Sequence, residues 1–277
     1  VSGGGLCTYG GGSNTVDGST LSGNETANSN GAAIHASGAN TTVTLTNSTV
    51  SANVAHGGDG AASYVETSAS ITYAWCTVTD NAGVTTGGLV AAGTGSQSIE
   101  NPILAGNLGP SPDCSGTLVS GGYNIVGVAD MPPCTLLSAS PGDQLGTSLS
   151  PIDPMLDVLA DNGGRTSTHA LQTGSPAIDN ADQAGCIAED QRDVARPAGS
   201  GCDIGAYESD WAAAGAGGMA GAAGMAGTAG VAGGAGKGCV VVDHSTISPS
   251  ITRQIAEKLR QQGIGFVDAP ISGGTSG

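Results

Sequence analysis

The chain of 277 residues carries 49 glycines, only eight aromatic side chains and a formal net charge of −16. A chain of this length forms one long domain or two small ones, and no apolar run in it is long enough to span a bilayer as a helix. Before Lys237, twenty acidic residues stand against Arg165, Arg192 and Arg196 with no lysine, a balance of −17 that argues against nucleic acid, whose phosphates need clustered cations.

An acidic body of this kind fits a secreted, solvated surface or weak cation binding. Val1 rather than Met opens the sequence, so the true start, with any targeting segment, is expected upstream. The first hundred residues then repeat. "STLSGN" (19–24), "STVSAN" (48–53), "CTVTDN" (76–81) and "PILAGN" (102–107) each end in asparagine, at Asn24, Asn53, Asn81 and Asn107, in steps of 29, 28 and 26 residues. Small-residue segments recur between them: "GAAIHA" (31–36), "GGDGAASY" (57–64) and "GGLVAA" (87–92). Alternating stretches precede three of the asparagines: "TVTLTNSTV", "SITYAWCTV" and "SIENPIL".

Alternation with period 2 turns one set of side chains inward on a strand, and Thr, Val and Ile suit that pleated surface. Gly and Asn mark the corners, where positive φ is inexpensive. A single coil cannot bury its inner face, whereas a stack of coils can. The expected fold is all-β, a right-handed parallel β-helix with coils over 1–112. Asn24, Asn53, Asn81 and Asn107 are expected to form an internal ladder of amide hydrogen bonds, a structural rather than catalytic role. The short strands and "S-x-(S/A)GN" corners resemble bacterial surface and autotransporter-like β-helix repeats.

Residues 113–211 change register and hold the final coils and a loop-rich cap. Cys114 and Cys134 lie in one loop-rich stretch, Cys186 and Cys202 in another. Each pair closes a loop worth about 3 kcal/mol in the chain-entropy model. Two short-range disulfides imply an oxidising compartment; the alternative is free thiols. Cys7, Cys76 and Cys239 have no evident partner. "LADNGGRTSTHAL" (159–171), "GSPAIDNA" (174–181), "EDQRDVARP" (189–197) and "CDIGAYE" (202–208) resemble the choice-of-anchor Q domain of bacterial secreted β-helix proteins, with Asp193 where that family usually has glycine. The resemblance covers roughly 18–208 and implies an extracellular or bacterial cell-surface protein, with no reaction attached.

Arg192 or Arg196 is expected to pair with Asp190, Asp193 or Asp203 inside the cap. The rival reading gathers Asp179, Asp182, Asp190 and Asp203 around calcium, but their spacing matches no EF-hand or nonapeptide pattern. A polysaccharide lyase or hydrolase needs paired carboxylates, or a base beside calcium, on one face. The coils offer only scattered Asp59, Glu66, Asp80 and Glu100. Tyr64, Tyr73 and Trp75 are the aromatics available there for sugar stacking, and His35 and His56 sit in glycine-rich turns without evident partners.

Residues 212–236, "AAAGAGGMAGAAGMAGTAGVAGGAG", have no charge and almost no apolar bulk, and are expected to be a flexible tether. Residues 237–277 follow. "VVVDHSTISP" (240–249), "TRQIAEKL" (252–259) and "FVDAPISGGTSG" (266–277) resemble the 3-hydroxyisobutyrate/β-hydroxyacid dehydrogenase family. Local pattern agrees with strand–helix–strand: a strand at Val240–Asp243, Ser248 capping a helix with Pro249 at its first position, and Gly265–Asp268 opening the next strand. Ile251, Ile255 and Leu259 share one helix face. By resemblance, Thr246 lies near the nicotinamide, and Ser272, Gly273 and Gly274 hold a substrate carboxylate.

The family's dinucleotide turn falls where the Gly/Ala tether stands, and "GAGGMAG" (215–221) lacks the strand before it that such a turn needs. The family's catalytic lysine would come after Gly277. The tail is therefore expected to be an inactive, truncated Rossmann-type piece, joined by fusion, frameshift or assembly. NAD(P) is expected only if another chain completes it. The whole is read as a structural or adhesive surface β-helix without catalytic activity, its partner an unknown surface ligand or carbohydrate. The alternative is an NAD(P)-dependent β-hydroxyacid dehydrogenase represented by the tail.

Overall fold

A five-residue stretch that alternates hydroxyl with aliphatic side chains has one apolar edge, and it is stable as a strand only where that edge is covered. A computed structural model describes residues 4–131, 134–137, 140–209, 240–243 and 265–268. It divides into two units, Val1–Ala213 and Ala214–Gly277. No α-helix occurs among the described residues, and none of their elements is a helix long and apolar enough to cross a membrane.

The first unit is a parallel β-solenoid. Coil one holds β1 (Leu6–Tyr9), β2 (Ser13–Asp17), β3 (Thr20–Ser22) and β4 (Glu25–Thr26). Coil two holds β5 (Ile34–Ser37), β6 (Thr42–Thr46), β7 (Thr49–Ser51) and β8 (Val54–Ala55). Coil three holds β9 (Ser63–Glu66), β10 (Ser70–Ala74) and β11 (Thr77–Thr79), and coil four β12 (Leu89–Ala91), β13 (Ser96–Glu100) and β14 (Ile103–Leu104). Shorter turns follow with β15 (Cys114–Gly122), β16 (Ile125–Val126), β17 (Cys134–Leu137) and β18 (Gln144–Leu145). Every pairing between these strands is parallel, each strand lying on its counterpart one coil away. The small-residue segments of the sequence supply the first sheet (β1, β5, β9, β12), and the alternating stretches supply the second and third.

Register stacks like on like inside. Val16, Leu45, Tyr73 and Ile99 form one inward column, and Leu21, Val50, Val78, Leu104 and Val126 another. From coil two onward these side chains are buried. Removing such area from water contributes roughly 25 cal/mol per Å². Outward from the second sheet, Ser13, Thr42, Ser70 and Ser96 lie in one column and Thr15, Thr44, Thr72 and Ser98 in the next.

The corners differ from the sequence reading in two ways. Each alternating stretch is not one strand but two, broken at Asn47 (φ 44°), Trp75 (φ 56°) and Asn101 (φ 56°), with Gly18 (φ 54°) at the same corner of coil one. Left-handed backbone at a single residue turns the chain from the second sheet into the third. Nor do the four ladder asparagines take positive φ; the residue before each does, at Gly23 (φ 65°), Ala52 (φ 57°), Asp80 (φ 57°) and Gly106 (φ 75°).

That second corner points the asparagines inward. Nδ2 of Asn24 donates to Oδ1 of Asn53 (2.8 Å), Asn53 to Asn81 (2.8 Å) and Asn81 to Asn107 (2.9 Å). The same Oδ1 atoms accept the backbone N–H of the asparagine one coil earlier. The second Nδ2 hydrogen meets carbonyls such as Leu21 O for Asn53 and Val50 O for Asn81. A buried primary amide is thereby satisfied on both ends.

Residues from about 146 to 209 form no strand, only isolated antiparallel bridges such as Leu156–Leu171 and Ala160–Thr168, and lie along the outer face of the third sheet. Gln191 accepts from Thr49 Oγ1 (2.7 Å) and donates to Thr20 Oγ1 (2.8 Å), so this covering runs back to coil one. Nε2 of His169 meets Ser51 Oγ (2.8 Å), and the Ala206 N–H donates to Thr77 Oγ1 (3.1 Å). A second apolar cluster fills the layer, with Trp75, Ile103 and Ile125 from the coils against Leu171, Ala177 and Ile204. Disulfides join Cys114 to Cys134 and Cys186 to Cys202, with Cα separations of 5.2 and 6.3 Å.

In the second unit, β19 (Val240–Asp243) and β20 (Gly265–Asp268) pair in parallel. A parallel pair needs a crossover between its strands. The helix expected there lies outside the described residues, as does the 212–236 stretch.

Ala52 occupies a left-handed corner that glycine holds in coils one and four, at a cost for alanine of about 1 kcal/mol. Ala52→Gly is expected to stabilise the protein by about that amount in chemical denaturation. Ala52→Val is expected to destabilise it by more.

Candidate functional site

Because each step between the first three coils places residues 28 or 29 positions apart in one column, chemistry distant in sequence meets on the surface. Cys7, His35, Tyr64 and Val90 are register partners on the outer face of the first sheet. His35 lies on β5, not in a turn, and is buried. Its ring sits between Tyr9 (centroids 5.5 Å, tilted 39°) and Tyr64 (5.8 Å, 6°). Nε2 of His35 is 3.6 Å from Glu66 Oε1, while Nδ1 is buried without a hydrogen-bond partner.

Burial lowers the His35 pKa, and the Glu66 charge opposes this less strongly. The ring is therefore neutral at pH 7. Burial, then Glu66 and Asp59, raises Tyr64. Tyrosines flank His35 on both sides, so its faces are not open for a ligand to stack on. His56 also has a partner, Glu25 Oε2 at 3.2 Å, at the exposed coil edge. Tyr73 and Trp75, the other aromatics of the coils, are interior, Tyr73 in the core and Trp75 under the covering segment.

The covering segment holds the densest charge. Arg192 grips Asp190 Oδ2 through Nε (2.9 Å) and Nη2 (2.7 Å) and lies 3.5 Å from the centre of the Tyr207 ring. Arg196 Nη1 pairs with Glu208 Oε2 (3.1 Å) and donates to Asp203 O (2.7 Å), and its Nη2 reaches Gly205 O (2.6 Å). The guanidinium stands 4.8 Å from the Trp75 ring centre, tying the segment to the coils. Asp193 pairs instead with exposed Arg165 at 3.5 Å.

Backbone N–H groups occupy the remaining oxygens. Asp203 accepts from Asp179 and Ser209, Glu208 from Ala198 and Asp203, and Asp190 from Arg192, Val194 and Glu208. Asp179 accepts from Gly201 and Asp182 from Ala184. The four aspartates weighed for calcium thus turn to separate donors, and the described residues contain no group of three His, Cys, Asp or Glu placed to hold a metal. Burial raises Asp203 and Glu208 and lowers Arg196, the neighbouring opposite charges and N–H donors resisting each shift.

The amide ladder ends at Asp113, a residue the sequence reading passed over. Its Oδ1 accepts both the backbone N–H (3.2 Å) and Nδ2 (3.0 Å) of Asn107, and its Oδ2 accepts the Val128 N–H (2.8 Å). Burial is the dominant effect and pushes its pKa up to about 6 against those three donors. Asp113 breaks the period, standing six residues after Asn107, so no repeat signal marked it. The Cys7–His35–Tyr64 column did carry one, since the intervals of 28 and 29 equal the coil step.

Of the sequence-derived sites, the four ladder asparagines are brought together and so are both cysteine pairs. Thr246, Ser272, Gly273 and Gly274 lie outside the described residues.

Residues 218–277 match the family model described as the NAD binding domain of 6-phosphogluconate dehydrogenase. The match reaches back into the Gly/Ala stretch and falls wholly within the second unit. The 2-(hydroxymethyl)glutarate dehydrogenase of Eubacterium barkeri is 52% identical over 40 residues, 14% of this chain and 13% of that protein. The mitochondrial 3-hydroxyisobutyrate dehydrogenases of Rattus norvegicus and Mus musculus are each 45% identical over 38 residues, 14% of this chain and 11% of theirs. The chain thus spans about an eighth of the length of these relatives. No solved structure matches the chain.

Asp113 holds its proton to a higher pH in the folded state than in the unfolded chain, where it titrates near 3.8. Between about pH 4 and pH 6 the native state binds more protons, so stability falls as pH rises through that window, by up to about 3 kcal/mol from this group. Asp203 and Glu208 act in the same direction. Urea denaturation of the native protein and of Asp113→Asn, which keeps an acceptor oxygen, should show a shallower loss between pH 4 and 7 in the variant.

Proposed function

We propose that the first unit is a structural β-helix working in an oxidising, extracytoplasmic setting, secreted or at a cell surface, where coil faces and loops make adhesive contacts without a catalytic step. The observation that carries this reading is the parallel stack, whose four ladder asparagines bond to one another from coil to coil and whose buried Arg192–Asp190 and Arg196–Glu208 pairs meet within the fold. Such a stack is a rigid spacer, stabilised coil against coil. The two disulfides support the compartment. So does the resemblance of 159–208 to the choice-of-anchor Q domain. The uncharged hydroxyl columns of the second sheet suit solvated contact with a surface ligand or carbohydrate.

A second reading concerns the tail alone. Its likeness to hydroxyacid dehydrogenases favours an origin in an NAD(P)-binding fold. In this reading Thr246 faces nicotinamide and Ser272, Gly273 and Gly274 face a substrate carboxylate, should a further chain complete the site. A dinucleotide needs a strand–glycine turn–helix for its pyrophosphate, and the Gly/Ala stretch lacks the spaced apolar residues of one.

Thiol titration of the denatured, unreduced protein should find no more than three of its seven cysteines reactive; seven reactive thiols would remove the oxidising compartment. NADPH fluorescence should be unchanged by the chain, and binding at micromolar affinity would favour the dehydrogenase reading.

A further inference from the structure

Beyond any adhesive face, the end of the amide ladder opens onto a cavity of about 420 Å³. That volume falls within the range of small-ligand sites. Four places in the chain meet there: the end of coil four, the loop before β15, the residues after β16, and the start of the covering segment. Pro112, Val128, Pro151 and Ile152 give it apolar walls, and Asp113 and Asp153 are its two acidic members.

Asp113 is an unusual group for such a wall. It is 1% exposed, and no cation pairs with it among the described residues. Arg165, Arg192 and Arg196, the three arginines before Lys237, pair with Asp193, Asp190 and Glu208. A carboxylate offers about four acceptor positions. Asn107 takes two on Oδ1 and Val128 takes one on Oδ2, which leaves one on Oδ2. Gly127 keeps the space beside that oxygen clear, since a Cβ there would stand 2.7 Å from Oδ2. Asp153 Oδ1 already accepts the Met155 N–H at 2.8 Å and is the more exposed of the two.

We propose that this cavity binds a small organic cation, a primary ammonium on a short apolar body, with the ammonium on Asp113 Oδ2 and the body against the proline walls. An ammonium supplies the charge that the fold withholds from a buried carboxylate, and a charge-assisted hydrogen bond is roughly twice as strong as a neutral one. The raised pKa of Asp113 has the same origin, a carboxylate desolvated without a counter-charge. Anions are refused by two carboxylates, and flat aromatic ligands lack a ring to stack on in this lining.

The test is an NMR titration of the intact chain at pH 7.5 with n-butylammonium, and with 1-butanol as its uncharged counterpart. Saturable shifts of the Val128 and Ile152 methyl signals are expected with the ammonium, and binding of the alcohol weaker by roughly tenfold, the weight of one charge-assisted hydrogen bond. Asp113→Asn should bring the ammonium down to the level of the alcohol, and Asp153→Asn should weaken it less. Equal affinity for the two probes, no saturable binding of either, or full ammonium binding in Asp113→Asn would each overturn the proposal. The comparison of the two probes on the unaltered chain stands even if a variant fails to fold.

Discussion

A primary amide sealed inside a protein must find partners for both its oxygen and its nitrogen, and along this solenoid's ladder Asn24, Asn53 and Asn81 each find one in the amide of the next coil. That requirement fixes more than one contact. Asn24, Asn53, Asn81 and Asn107 meet only if the coils advance by 29, 28 and 26 residues and return to the same corner each time. A slip of one residue would orphan two amides and turn a whole strand inside out. Register, corner geometry and the inward aliphatic columns therefore stand or fall together. The ladder is also directional, each Nδ2 donating to the next coil's Oδ1, so it must end on an acceptor. Asp113 supplies that acceptor as a carboxylate, at the cost of burying a charge without a counter-ion among the described residues.

The same economy of partners governs the covering segment. It hides the outer face of the third sheet, where Thr20, Thr49, Ser51 and Thr77 would otherwise face water, and answers their hydroxyls with Ser167, Gln191, His169 and the Ala206 N–H. Arg192 and Arg196 hold the segment's own loops closed against Asp190 and Glu208. Buried ion pairs of this kind are costly to break but contribute little net stability when complete, so their value here lies in fixing one loop arrangement. With these groups satisfied internally, the coil surface carries hydroxyl columns, a His–Tyr stack and scattered acids.

Much of this was legible in the sequence, and the reasons for the rest are physical. The asparagine spacing disclosed the coil length, and alternation disclosed the inward columns. The corner at Asn47, Trp75 and Asn101 was hidden because left-handed backbone at a tryptophan carries no compositional sign. Ala52 and Asp80 concealed the second corner in the same way, while Gly23 and Gly106 shifted attention to the asparagines beside them. His35 looked isolated because its neighbours, Tyr9 and Tyr64, stand one coil away on either side. Asp113 lay off the period altogether. Gln191, the residue that carries the cover back to Thr20 and Thr49, has no local pattern that would announce a long-range role.

The most direct measurement is hydrogen exchange of the side-chain amides of Asn53, Asn81 and Asn107, followed together with the backbone amides of β7 and β11 in the native protein. If the amide ladder couples the coils, all three side chains exchange slowly and with the same opening free energy as the strands beside them. Fast exchange of these amides from an otherwise protected stack, or separate opening energies for each coil, would mean that the strands hold register without them.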